Sequence, residues 1–560
     1  MTEVLTMKKM TAILLAVLML STLMLSACGQ QTQPATVEYD TTGRYTLSET
    51  GEAVIDDAAL QSDYVIDDNA RVFYEIFVGS FSDSNGDGIG DLRGIINRFD
   101  YLNDGDPNSG LSLGVEGLWL TPIFQSPSYH KYDVTDYYSV DEKFGTLEDL
   151  QELAALCHER NVKLILDLPI NHTGSANAWF SYFKAAHKNG DVENEYYDFY
   201  SYYTSGVDTP GAGKTYAQIA GTNDFYECNF SGDMPELNFD SEAVRQEMLN
   251  VAKFYLDMGI DGFRFDAAKY IYYGDNNASA AFWDWYLGEL RAIKPDLYTV
   301  AEVWDSDGIT DFYYSSTNCF NFTTSQSSGL IAETAKRGNV NKYTAYVQNY
   351  IDRVKTINPD AMIVPFITNH DMDRAAGFLT LASGDMKMAA NLYLLSSGTP
   401  FIYYGEEIGM RGSRGGANTD ANRRLAMLWG DGDTVRDPEG SNYASSNQTD
   451  SSVAAQLGDG DSLYTYYKQL IMIRNANPEI ARGEYTALSF PDTKLGGFTA
   501  SLDGSTVCVL HNTTMNEITV DLSAATDIAF SEIRAVIGAG DATLDGTTLT
   551  LGSQTSVVLR

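Results

Sequence analysis

Hydrophobic and polar positions change their spacing along this chain, and the changes divide it. From Arg71 onward, short apolar runs recur: "RVFYEIFVGSF", "VEGLWLTPIF", "VKLILDLPINH", "IDGFRFDAAKY", "LYTVAEVW", "AMIVPFITNHD" and "TPFIYYGEE". Near-continuous runs of this kind predict strands buried on both faces, as in a parallel sheet covered by helices. Amphipathic stretches lie between them. One starts at Thr146, with Asp149 completing a capping pair, and puts Cys157 on an apolar face with Leu150, Leu153 and Ala154. Strands alternating with helices over about 400 residues predict an α/β barrel. After "LPINH", residues 173–239 are rich in Tyr, Gly, Asn and Asp and precede the next predicted helix. An insertion of about 70 residues implies a subdomain or a functional segment. A helix is predicted over 462–475. Beyond it, "GGFTASL", "STVCVLHN", "EITVDL" and "QTSVVLR" alternate at strand period, which predicts a small all-β domain.

At 560 residues the chain exceeds one ordinary domain, and 44% hydrophobic with 12% aromatic residues can fill a large core. That composition excludes a disordered protein. The balance is 37 Lys and Arg against 76 Asp and Glu, a net charge of −39. So acidic a surface repels nucleic acid and anionic membrane, and tolerates a neutral substrate. The N-terminus reads as a signal. Lys8 and Lys9 supply its positive region, and residues 11–27 are apolar but short for a membrane span. They end in "LSAC" before the polar "GQQTQP", which resembles the bacterial lipobox, with Cys28 lipidated as the mature N-terminus. Residues 1–28 are thus expected to be a lipoprotein signal peptide and 29–70 a polar tether. The expected location is the extracellular face of a bacterial membrane, with plain secretion as the alternative. The remaining cysteines, Cys157, Cys228, Cys319 and Cys508, are irregularly spaced and imply neither a zinc motif nor a disulfide scaffold.

Polar residues sit where the apolar runs stop. In "GFRFDAAKY" a period of two puts Arg264 and Asp266 on one face, opposite Phe263 and Phe265. Glu302 closes "YTVAE", Asp371 closes "PFITNHD", and Asn171 and His172 close "LILDLPINH". In a barrel these ends converge on one mouth. Retaining glycoside hydrolysis needs an ionised carboxylate and a protonated carboxyl about 5 Å apart. Arg264 is expected to keep Asp266 ionised, and crowding among carboxylates to raise Glu302 for the acid's part. A second oxygen-rich stretch, "DSNGDGIGD" from Asp83, begins like an EF-hand loop. Its twelfth position is Gly94, where an EF-hand needs a bidentate Glu, so it is a loop of another kind.

The motifs together resemble the α-amylase family, glycoside hydrolase family 13, over about residues 71–560. "DLPINH", "GFRFDAAKY", "EVW" and "NHD" look like its four main catalytic blocks, and "GLWLTPIF" and "GTPFIYYGEE" like two more. The resemblance implies a (β/α)8 TIM barrel in two parts, 71–172 and 240–478, with subdomain 173–239 inserted after the third strand and a β-sandwich at 479–560. It makes Asp266 the nucleophile, Glu302 the acid/base, and Asp371 the residue that distorts and hydrogen-bonds the reacting sugar. His172, His370 and Arg264 would line the same subsite, and Tyr132 would stack on the sugar. The Asp83 loop resembles the metal loop of the oligo-1,6-glucosidase branch: Asp83, Asn85, Asp87 and Asp91 would bind by side chain and Ile89 by its carbonyl, and oxygen ligands favour Ca²⁺. "MPELN", at 234–238, looks intermediate between the oligo-1,6-glucosidase and neopullulanase stretches. Lys269 follows the α-amylase pattern, where it reaches the leaving sugar, although Tyr270 replaces the usual His. No acidic residue of the exo-acting kind precedes "SPSYHKYD", which implies a cleft open at both ends. The expected function is endo-acting, retaining hydrolysis of α-1,4 bonds in starch and maltooligosaccharides by a monomer. Alternatives are a neopullulanase or cyclomaltodextrinase, a 4-α-glucanotransferase, or a non-catalytic starch-binding lipoprotein.

Overall fold

The apolar runs form the expected strands. The computed structural model describes residues 61–62, 64–416 and 419–560. The predicted signal peptide with Cys28, and the tether as far as residue 60, lie outside the described residues. Strands β1 (Phe73–Ile76), β2 (Gly117–Leu120), β3 (Lys163–Leu168), β4 (Gly262–Phe265), β5 (Tyr298–Ala301), β6 (Asn318–Cys319) and β7 (Phe401–Tyr403) pair in parallel, in the order β6-β5-β4-β3-β2-β1-β7. Single parallel bridges, Phe320 to Val364 and Phe366 to Phe401, close the circle. The run "AMIVPFITNHD" therefore supplies the closing position without becoming a continuous strand. Pro365 within it has no N–H for the ladder.

Alternation along each strand sorts side chains into two cores. Phe73, Trp119, Ile165, Tyr298, Phe366 and Phe401 belong to a cluster inside the barrel. Phe73 stacks between Tyr298 and Phe401, with ring centroids 4.6 and 4.8 Å away. Gly117 makes room for this: a Cβ there would sit 2.4 Å from the Phe73 ring. The opposite faces, with Tyr74, Leu118, Leu166, Phe263 and Phe265, join the larger core under the helices. Toward the C-terminal ends of the strands the inward positions turn ionic, with Glu75, Asp167, Arg264 and Asp266 all buried.

The helix Leu147–Glu159 carries the expected capping box between Thr146 and Asp149, and buries Leu150, Leu153, Ala154 and Cys157. Helix Leu463–Ala476 starts at its Ser462 cap, close to the expected span. The insertion differs from expectation. It contains a helix, Ala178–Asn189, capped by Asn177 and ended by Gly190 at φ 64°. Burial of Phe180, Phe183 and Ala186 at helical spacing explains it. A three-stranded antiparallel sheet, Tyr202–Thr204, Asp224–Glu227 and Tyr216–Gln218, completes the insertion.

After the barrel, a five-stranded and a three-stranded antiparallel sheet follow. Leu510 and Val557 of the first share a core with Leu549 and Leu551 of the second, so the domain is a sandwich. The last part of the expected tether lies against the barrel. Arg482 holds Asp68 through two hydrogen bonds of 2.7 Å, and the Ser62 hydroxyl donates to the Asn475 carbonyl. No helix among the described residues is long and apolar enough to cross a membrane.

Candidate active site

The strand ends meet as the alternation predicts, with Arg264 at the centre. It is fully buried, and its Nη1 donates to both oxygens of Asp167 (2.8 and 3.0 Å) and to Asp266 Oδ1 (2.8 Å). Its Nη2 lies 3.0 Å from Glu302 Oε2, off the hydrogen-bond axis. One guanidinium thus gathers carboxylates from the ends of β3, β4 and β5. Its charge also sits 5.2 Å from the centroid of the Trp119 ring.

The backbone contributes beside it. Ala267, the residue after Asp266, adopts φ 49°, a left-handed conformation that costs a non-glycine residue about 1 kcal/mol or more. That turn lets the Ala267 amide donate to Glu302 Oε2 at 3.1 Å.

Asp371 has its own cations. Arg424 Nη2 donates to its Oδ1 at 2.6 Å, and His370 Nε2 lies 3.1 Å from its Oδ2. His370 is clasped from behind by Glu75, 2.5 Å from Nδ1. Burial pushes the imidazole down, but Asp371 and Glu75 outweigh it and lift His370 to about 10, so the ring is a cation at neutral pH. A relay follows: His370 Nε2 lies 2.7 Å from the Tyr132 hydroxyl, which donates to Asp167 Oδ2 at 2.8 Å. Tyr132 stacks on His370 at 5.5 Å.

Burial sets the carboxyl groups apart. It lifts Asp167 to about 7 against the pull of Arg264. Burial raises Glu302, with Asp266 and Asp371 adding and Arg264 opposing. For Asp266 burial is the largest influence and raises the group, while Arg264 opposes that rise without reversing it. For Asp371 burial also works upward, but His370 and Arg424 overcome it and hold the group well below the usual carboxylate range.

The remaining predicted residues fall around this centre. His172 is buried, held near neutral form by burial with its pKa at about 4, and its Nε2 has no protein partner. That orphaned nitrogen is free for a ligand hydroxyl. Lys269 reaches past the centre, donating to the Trp304 carbonyl and to Asp305, both at 2.9 Å. The loop from Asp83 stands apart, between β1 and helix Leu92–Asn97. Its oxygens cap its own amides: Asp83 accepts from Asn85, Gly86 and Gly88, Asn85 from Asp87, and Asp87 from Ile89. Asp91 caps the helix through Gly94 and accepts from Ser84. Sequence reasoning missed Glu75, Arg424 and Ala267. Glu75 carried one signal, a lone carboxylate inside an apolar run.

A TIM barrel whose strand ends gather paired carboxyls around a buried arginine defines a glycoside-bond enzyme. A family model described as "Alpha amylase, catalytic domain" matches residues 75–483, and the chain belongs to the α-amylase family. "Alpha-amylase 3" of Dictyoglomus thermophilum is 34% identical over 444 residues, covering 79% of this chain and 84% of that protein. "4-alpha-glucanotransferase" of Thermotoga maritima is 34% identical over 357 residues, covering 62% of this chain and 74% of that protein. Among solved structures, "Eubacterium rectale Amy13B" is 35% identical with a TM-score of 0.82, covering 90% of this chain and 98% of that one.

Proposed function

We propose that the protein is an endo-acting α-amylase that cleaves α-1,4 bonds of starch and maltooligosaccharides with retention. The observation that carries this reading is the shared guanidinium, which sets Asp266 and Glu302 on one side chain. Asp266 attacks the anomeric carbon while Glu302 gives its proton to the leaving oxygen, and a covalent glycosyl–Asp266 ester forms. Water then attacks the same carbon, Glu302 takes its proton, and the ester bond returns its electron pair to Asp266. The raised Glu302 suits the acid's part, and Asp371, held ionised, suits hydrogen bonding to the ring hydroxyls. His172 Nε2 and Lys269 would complete the grip on either side of the bond. The similarity to "Alpha-amylase 3" supports the specificity.

Calcium belongs to the same reading. Asp83, Asn85, Asp87, Asp91 and the Ile89 carbonyl would be its oxygen donors, of a kind suited to a hard cation, although among the described residues no three carboxylate or imidazole side chains are gathered as a metal cluster. A bound Ca²⁺ would supply loop rigidity and no catalytic step. Cys28 would carry a lipid anchor that keeps the enzyme at the extracellular face of a bacterial membrane, acting as a monomer. A time course on soluble starch, resolved by chain length, tests the specificity. Rapid loss of iodine staining with a spread of maltooligosaccharides is expected. Glucose alone as the early product would overturn endo-cleavage.

A further inference from the structure

Alternation along β1 sends two side chains into the barrel at different depths. Phe73 joins the inner aromatic cluster, and Glu75, two residues on, lies nearer the strand ends and is 1% exposed. Its register neighbours are Trp119 on β2 and Tyr403 on β7. A carboxyl sealed in such a place costs free energy unless a partner answers it. That partner is His370. Glu75 Oε1 lies 2.5 Å from its Nδ1 and accepts from its amide at 3.4 Å. The cleavage steps proposed above give Glu75 no part.

The neighbours of His370 place its hydrogens. Tyr132 has one hydroxyl hydrogen, and Asp167 Oδ2 takes it at 2.8 Å. Arg264 donates to both oxygens of Asp167, so that carboxyl is an acceptor. The Tyr132 oxygen, 2.7 Å from Nε2, therefore turns a lone pair toward the ring. Asp371 Oδ2, 3.1 Å from Nε2, also offers lone pairs. Nε2 faces two acceptors and must carry a hydrogen. Nδ1 faces the Glu75 carboxylate and must carry one as well. Burial opposes the resulting imidazolium, and Asp371 and Glu75 overcome it. The charges further out are mixed. Asp167 and Asp266 feel the imidazolium from β3 and β4, with Arg264 bonded to both. Arg424 donates to the His370 carbonyl at 3.1 Å, and Tyr403 adds a phenol near Glu75. Neutral rings complete the surroundings, Trp119 edge-on at 5.7 Å and Tyr132 stacked at 5.5 Å.

We infer that Glu75, sealed behind His370, is a positioning residue: its carboxylate holds the Nδ1 hydrogen and so keeps the Nε2 hydrogen on the side of Asp371 and the reacting sugar. With a neutral amide in its place, Nδ1–H still finds an oxygen, but the ring gives up its second proton more readily. A bare Nε2 would then face the Asp371 carboxylate and the Tyr132 lone pair with no hydrogen between them. Both side chains would turn from the positions in which they grip the sugar. The inference rests on the hydrolase reading above for its kinetic readout and not for its spectroscopic one.

The test labels the ring nitrogens of the six histidines in the full chain and follows them by NMR as pH is raised, with His370→Gln identifying the signal. Wild-type His370 is expected to keep both hydrogens to about pH 9. In Glu75→Gln it should lose one at least about two pH units lower. On maltooligosaccharides the same variant should lower kcat about tenfold near neutral pH with KM within about twofold, and move the high-pH limb of kcat toward acid. Glu75→Asp, which keeps the charge, should return that limb most of the way. A wild-type His370 that titrates at about 6.5 would overturn the proposal, as would a Glu75→Gln signal that titrates like wild type. Equal loss of rate at every pH, with the limb unmoved, would make Glu75 a structural residue only and would also overturn it. Should Glu75→Gln not fold, the wild-type titration and Glu75→Asp still decide the question. A wild type that cleaves no glucan but shows the expected titration would overturn the hydrolase reading and support the link from Glu75 to His370.

Discussion

Two groups of carboxyls, one partly buried at the barrel mouth and one sealed just after β7, are held by different partners. At the mouth, Asp266, Glu302 and Asp371 face Arg264, Arg424 and the His370 cation. After β7, Glu406 accepts from the hydroxyls of Tyr393 (2.7 Å) and Tyr467 (2.8 Å), and Glu407 from Tyr74 and Tyr101. Glu406 and Glu407 are sealed, whereas the Asp371 side chain is 31% exposed, and the outcome differs with both depth and partner. Cations hold Asp371 well below the usual range, whereas Glu406, held by phenols, is lifted by burial to about 7. Hydroxyls stabilise a carboxyl without fixing its charge, which suits structure. Fixed cations keep charge in place for a reaction, at a desolvation cost that the fold must absorb.

The largest effect should come from the mouth. Asp266→Asn is expected to lower kcat by about 10⁴-fold or more while the melting temperature stays close to wild type. A variant that turns over starch normally would remove Asp266 from the chemistry. Next, Arg264→Met leaves Asp167, Asp266 and Glu302 without their common cation. Removing one partner of a buried charge cluster costs about 3–5 kcal/mol, which denaturant unfolding would read. An unchanged midpoint would mean that the cluster is not coupled through this arginine.

Beside β7 the expected change is smaller and lies in stability. Glu406 has a folded pKa of about 7 against an ordinary 4.5. The folded protein therefore holds this proton more tightly than the unfolded chain does. The stabilisation is complete below pH 4.5 and lost as pH rises to about 7. Glu406→Gln should leave turnover unchanged and make the fall in stability across that window shallower, by at most about 1.4 kcal/mol per pH unit. A wild-type slope in the variant would show that Glu406 titrates as an ordinary carboxyl. Smallest of all, Asp87→Ala should lower the melting temperature by on the order of 2 °C and remove its response to added calcium. Wild-type protein that melts identically with and without chelator would count against the ion.

The contrast between these two regions also marks how far the sequence could be read. Asp266, Glu302, Asp371, Arg264 and His370 stand at the ends of apolar runs; strand alternation puts Arg264 and Asp266 on one face, and the convergence of strand ends in a barrel brings the others to the same mouth. Their partners were harder to see. His370 meets Glu75 across 295 positions of chain, and Asp371 meets Arg424 across 53. Spacing carries no record of pairs that only closure of the barrel brings together. The left-handed turn at Ala267 was hidden because Ala gives no hint of positive φ, unlike Gly or Asn. Helix Ala178–Asn189 was hidden by its aromatic composition, although Asn177 and Gly190 were legible caps. The net direction of the Asp266 shift was hidden for a related reason. Arg264 is visible in the sequence, but the depth of burial that opposes it is not.

The most direct test of the two-carboxylate account is the anomeric configuration of the first product, followed by proton NMR on maltooligosaccharides before mutarotation mixes the anomers. Attack by Asp266 and a second displacement by water predict an α-configured reducing end at the earliest times. A β-configured first product would require direct attack by water from the opposite face, and would contradict the assignment of Asp266 as nucleophile.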